Sequence, residues 1–229
     1  MSLGQSAVGW FLYAIDQRRL HRARKNLGQV RPRLDSRQRR KIVRGAYLEF
    51  RRHQIALPTL ARMSSVSLCE RLSLNDWGQL HRARAARPGR GVVILGLTLG
   101  FFPLLQRALE LYCAPIIVLR GPLELESEAG GRILAHLGAG GNILAPCGFP
   151  TMAESAARIA VAAEAHTIPA LAATSGRNFH VTLLAPLAPG PALAERYRSL
   201  LAAEIDRAPE AWPWHLAAPD IAPTPGDEI

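Results

Sequence analysis

The run Gly-Val-Val-Ile-Leu-Gly-Leu-Thr-Leu-Gly at residues 91–100 is continuously apolar, of strand length and rich in branched side chains. Neighbouring side chains on a strand point to opposite faces, so a strand without polar alternation must be covered on both. That requirement selects a sheet with helices on either side. The following segments have the periodicity to supply one: a helix over 103–111, a strand over 114–119, a helix over 133–137 and a strand over 142–145. An alanine-rich helix over 151–165, strands over 167–174 and 180–184, and an amphipathic helix over 191–206 complete the series. Strands alternating with helices at this spacing predict an α/β fold, a mixed, largely parallel sheet flanked by helices.

Ahead of this core lies a region of different character. Residues 1–90 hold 20 Lys/Arg against 5 Asp/Glu, whereas residues 91–229 hold 8 against 13. From Ser36 to Leu57, Ile42, Val43, Ala46, Tyr47 and Phe50 recur at helical spacing with arginines on the other faces. Ser36 is the expected N-cap and Pro58 the expected stop. A second helical stretch is expected over 60–72, then a turn and a short helix ending at the loop Arg87-Pro88-Gly89-Arg90. The predicted organisation is a basic, membrane-facing helical region over 1–90, an α/β core over 91–215 and an irregular tail over 216–229.

A surplus of 15 positive charges in the first 90 residues calls for an anionic partner, a membrane surface or a nucleic acid. The apolar segment Ala7 to Ile15, with Trp10, Phe11 and Tyr13, is about half the ~20 residues needed to cross a bilayer. The charges Arg18, Arg19, Arg22, Arg24 and Lys25 follow this segment, whereas a secretory signal carries its charge in front. An apolar segment followed by cations suits peripheral attachment to anionic lipids. No helix-turn-helix pair or aromatic nucleic-acid-binding strand accompanies the arginines, which disfavours nucleic acid. Cys69, Cys113 and Cys147 lack metal-ligand spacing and are expected to be reduced; no metal or cofactor is expected.

Several segments together resemble the bacterial lipid A acyltransferases, a branch of the lysophospholipid acyltransferase superfamily. Arg24-Lys25-Asn26-Leu27 resembles that family's Asn-Leu element, and the basic helix with Tyr47 and Phe50 follows it. The buried strand with its turn at Gly100, the segment Ile133 to Leu144, and the small-residue helix containing Ala157-Arg158-Ile159-Ala160 are similar to the family's central elements. The ending Pro209-Glu-Ala-Trp212-Pro-Trp214-His215 resembles the family's Pro-Glu-x-Trp-x-Trp-x-His ending, with the histidine one residue early. The likeness spans most of the chain and implies an acyltransferase-like α/β core on the cytoplasmic face of the inner membrane.

The family carries a His-x4-Glu/Asp motif at the end of the first central strand. A neutral imidazole there takes the proton of an attacking hydroxyl, and the carboxylate holds the imidazole's tautomer. In this chain those positions fall on Thr98 and Pro103, which can do neither. The resemblance therefore implies a catalytically degenerate protein that binds lipid, an acyl donor or a partner enzyme. The donor class it implies is an acyl carrier protein or acyl-coenzyme A thioester. One alternative is an active acyltransferase with a rearranged site, for which Cys147, in a Gly/Pro turn, is the candidate nucleophile. The other is a basic adaptor for nucleic acid or protein. No histidine has a carboxylate partner evident from spacing. Arg37, Arg39, Arg40, Lys41, Arg44 and Arg120 are the expected lipid- or anion-binding cations, with anionic membrane lipids as the partner.

Overall fold

Leu20, Ala23, Leu27 and Val30 recur every three or four residues and are all buried, making one apolar stripe on helix α1, Gln17–Val30. In the computed structural model, which describes residues 16–100, 102–113, 115–146, 150–175 and 178–214, α1 is followed by a second, longer helix, α2, Ser36–Arg62. Its buried face carries Val43, Ala46, Tyr47, His53 and Leu60. Asp35 caps α2 in place of the expected Ser36. Its carboxylate accepts from the N–H groups of Arg37 at 2.7 Å and Gln38 at 2.8 Å, and the Gln38 side chain accepts from the Asp35 N–H at 2.9 Å. This reciprocal box satisfies three donors that a helix start would otherwise leave open.

Pro58 does not end α2, which continues to Arg62. Proline removes one backbone donor from the helix, and the buried Leu60 in the next turn holds the last residues in place.

The chain divides into two compact units, Met1–Arg62 with Arg198–Ile229, and Met63–Tyr197. In the first, Leu201 and Ile205 of the last helix are buried, as are Trp212 and Trp214, which meet edge to face at 6.4 Å. A short 3-10 turn, Pro209–Ala211, packs on α2. The contact is close enough that a Cβ on Gly45 would lie 2.9 Å from Glu210 Cβ. Arg31 pairs with Asp206 in the same unit.

The second unit is the α/β core. Its elements are α3 (Ser65–Cys69), β1 (Leu72–Asn75), α4 (Gly78–Ala86), β2 (Val93–Gly100), α5 (Phe102–Tyr112), β3 (Ile116–Val118), α6 (Glu128–Gly138), β4 (Asn142–Pro146), α7 (Pro150–Ala162), β5 (Thr167–Ser175) and β6 (Asn178–Leu183). Helix α8, Leu193–Arg207, begins in this unit. The sheet order is β1-β6-β5-β2-β4-β3. Every neighbouring pair is parallel except the β5–β6 hairpin. The α/β architecture with a mixed, mostly parallel sheet is therefore as expected. Strand β1 is not: the sequence pattern predicts a helix up to Leu72 and a turn from Asn75.

β2 lies between β4 and β5, and Val93, Ile94 and Leu95 are almost fully buried. Helices α5 and α7 pack against it. The chain approaches itself most tightly where β2 begins, since a Cβ on Gly91 would come 1.6 Å from the carbonyl oxygen of Gly141. Only glycine allows that approach. The Gly138–Gly141 segment ends α6 as a turn, with Gly140 at φ 81°.

Candidate functional site

β2 pairs regularly with β5 as far as Gly96 opposite Ala170, and resumes with Gly100 opposite Ala172. Leu97, Thr98 and Leu99 occupy a stretch where β5 has Leu171 alone, so the strand bulges at its C-terminal end. Thr98 lies in this bulge; its side chain is outside the described residues. Bulges at strand ends commonly re-aim side chains next to sites. The space over Gly96 is filled, however, because a Cβ there would lie 2.7 Å from Cε2 of the Phe102 ring.

Pro103 is the second residue of α5 and is exposed. The first helical turn has no intrahelical use for a backbone N–H, so proline fits there by its fixed φ. Neither position offers a group that takes up a proton at neutral pH. Cys147 and His215, with the apolar segment holding Trp10, Phe11 and Tyr13, lie outside the described residues.

Three of the described histidines have defined surroundings. His136 Nε2 lies 3.1 Å from the carbonyl oxygen of Asn142. His166 is half-buried, and burial together with the Arg87 charge lowers its pKa. One histidine does have a carboxylate: on α2, His53 Nε2 lies 3.1 Å from Glu49 Oε1. The spacing Glu49-x3-His53 is a helical i, i+4 signal, so contrary to expectation this histidine has a carboxylate partner that spacing alone could indicate. Burial works to raise the Glu49 pKa; the hydrogen bonds and charges of His53 and Arg52 outweigh it and hold the carboxyl below its usual value. His53 is buried, so the dyad pins a helix instead of facing an open site. Among the described residues no group of three or more His, Cys, Asp or Glu is placed to hold a metal.

Cys113 is also buried, and burial, partly offset by Arg84, pushes its thiol up to about 11. It is no nucleophile at neutral pH.

The expected cations divide by placement. Arg37, Arg40, Lys41 and Arg44 are exposed on α2, and Arg120 is exposed beyond β3. Arg39 turns inward, donating to the carbonyl of Pro32 and lying against Gly28, so its guanidinium holds the α1–α2 loop. Among the described residues, Arg37, Arg40 and Lys41 have no carboxylate partner. Residues 16–62 hold 15 Lys/Arg against 3 Asp/Glu. Asp16 faces Arg19 and Arg51, Asp35 caps α2 and Glu49 is paired within the helix, so none of the three faces those cations.

A cleft of about 750 Å³ in the α/β unit was not anticipated. It is lined by Leu125, Ala157, Arg158, Val161, Pro191 and Ala194, among others, and by none of the expected site residues. Its walls are mostly alanine and other small side chains, whose sequence signal is that of an ordinary helix face. Among the described residues no helix is long and apolar enough to cross a membrane. No family model matches the chain, and comparison with the curated proteins finds no match.

Proposed function

We propose that this protein is a lipid A or lysophospholipid acyltransferase-like protein, catalytically degenerate, attached peripherally to the cytoplasmic face of the inner membrane. In this reading it binds lipid, an acyl carrier protein or acyl-coenzyme A donor, or a partner enzyme. The observation that carries it is a contact between two segments of the resemblance, one of them the tail motif. Asn26 of the Asn-Leu element donates from Nδ2 to the carbonyl of Trp214 at 2.7 Å, and Trp214 Nε1 donates to the carbonyl of Pro209 at 2.7 Å. Two motifs 188 residues apart in the chain thus meet in one small cluster. The meeting of these two segments supports the reading. The degenerate half of the reading rests on Thr98 and Pro103, where the family has its base and acid.

The test is mass spectrometry of lipids after the protein is incubated with acyl carrier protein or coenzyme A thioesters and a bacterial lipid extract. No new acyl ester is expected, with lipid co-purifying on the protein. A protein-dependent product would overturn the degenerate reading. Replacing Thr98 by alanine should correspondingly leave the cellular function intact, and a null phenotype from a variant that still folds would count against the degenerate reading.

A further inference from the structure

The outward face of α2 carries a pattern that separates a lipid surface from other anions. Arg37, Lys41, Arg44, Leu48, Ile55 and Arg62 follow one another at intervals of three, four or seven residues, one continuous line on a helix of 3.6 residues per turn. The buried residues Val43, Ala46, Tyr47, His53 and Leu60 occupy the opposite side, so the line points away from the unit's core. From Arg37 to Arg62 it is about 38 Å long. Arg37, Lys41 and Arg62 have no carboxylate partner among the described residues, and the one carboxylate on α2, Glu49, is held by His53 and Arg52.

Ile55, with 39 % of its surface exposed, lies on this line between Arg44 and Arg62, and the exposed Pro58 adjoins it. Single exposed aliphatic residues are ordinary. Here the exposed Ile55, with the half-buried Leu48 before it, breaks the run of cations between Arg44 and Arg62. A nucleic-acid backbone offers phosphates and sugars but nothing to receive an isoleucine. An anionic bilayer offers phosphates with hydrocarbon a few ångströms beneath. We infer that α2 lies along the surface of an anionic bilayer, its cations at the phosphates and Ile55 entering the acyl region. The inference rests on the lipid-facing reading above and deepens it by naming the face and the inserted residue.

The test uses the full chain and vesicles of phosphatidylcholine with or without phosphatidylglycerol, with duplex DNA as the competing polyanion. Ile55→Ser should weaken binding to the anionic vesicles about tenfold, the loss expected from removing one aliphatic side chain from hydrocarbon. Ile55→Leu should restore it, and neither change should alter DNA binding. In Ile55→Trp, brominated acyl chains should quench additional tryptophan emission relative to the unsubstituted protein. If that protein binds anionic vesicles while Ile55→Ser has no effect and the introduced tryptophan is not quenched, the insertion is wrong and the lipid-facing reading stands. If it binds DNA and no vesicles, both fail. Circular dichroism of each variant guards against misfolding, and the quenching result does not depend on the serine variant.

Discussion

Asn142, wholly buried at the start of β4, donates from Nδ2 to the carbonyl oxygen of Cys113 at 2.7 Å. Its own side-chain oxygen accepts from Arg84 Nη2 at 3.3 Å. One carboxamide thereby ties the end of α5 to α4 at the edge where β3 and β4 begin. A buried carbonyl stripped of its donor bears the full cost of desolvation. Asn142→Ala should destabilise the protein by about 2–3 kcal/mol in urea unfolding. Arg84 is also an influence on the Cys113 thiol, its charge working against burial to lower the pKa.

Gly91 tests the tightest backbone approach. Alanine there would place its Cβ on the carbonyl oxygen of Gly141, which belongs to backbone and cannot swing aside. The two segments would have to part, breaking the bond from Gly91 N to the carbonyl of Leu137 at 2.7 Å. A loss of about 3 kcal/mol is expected, at the upper end for added volume in a packed site. Gly131, with open space at its Cβ, serves as the control: Gly131→Ala, in the exposed interior of α6, should stabilise by about 0.5–1 kcal/mol. Equal effects at the two positions would contradict the packing described.

What sequence reasoning could reach follows from how local each signal is. β2 was legible because ten consecutive residues argue for one environment, and α7 because its small and apolar positions repeat over three turns. β1 was not, because Leu72-Ser-Leu-Asn offers only two periods of alternation and its partner β6 lies over 100 residues further on. Pro58 was read as a stop on local grounds, while the burial of Leu60, a tertiary matter, carries α2 onward. At the candidate site, the positive charge of α2 was evident from composition, but the inward turn of Arg39 depends on a loop carbonyl and a glycine that spacing does not reveal. The Asn26–Trp214 bond was suggested only as two separate motifs. The cleft over α7 left no trace, since alanines that line an opening look the same in sequence as alanines that pack a core.

The two described cysteines should differ sharply in reactivity. With its thiol pushed up to about 11, Cys113 is ionised in roughly one molecule per thousand at pH 8, and it is buried as well. Cys69 is exposed, with the Tyr112 hydroxyl donating to its sulfur at 3.2 Å. Treating the folded protein with an aromatic disulfide reagent and mapping the adducts by mass spectrometry should find Cys69 modified and Cys113 untouched. In denaturant both should react. Modification of Cys113 in the folded state would mean that the α5 end opens far more readily than its buried packing implies.

Glu49 gives the protein an acid-sensitive joint. Its carboxyl is held below the usual value in the folded state, by His53 and Arg52 against the opposing pull of burial. A group whose folded pKa is depressed stabilises the fold above its unfolded pKa, and that contribution disappears as pH falls through the folded value. The stabilisation should therefore be complete at pH 7 and decline on the acid side of about 4.5, the ordinary value for glutamate. Glu49→Gln cannot ionise, so it should cost about 1 kcal/mol at pH 7 and progressively less as the pH falls and the native glutamate takes up its proton. Urea unfolding of both proteins at pH 7 and over an acid series reads this directly. A difference that persists unchanged across the series would show that Glu49 acts by shape and neutral hydrogen bonding, and that the charge shared with His53 contributes nothing to holding α2.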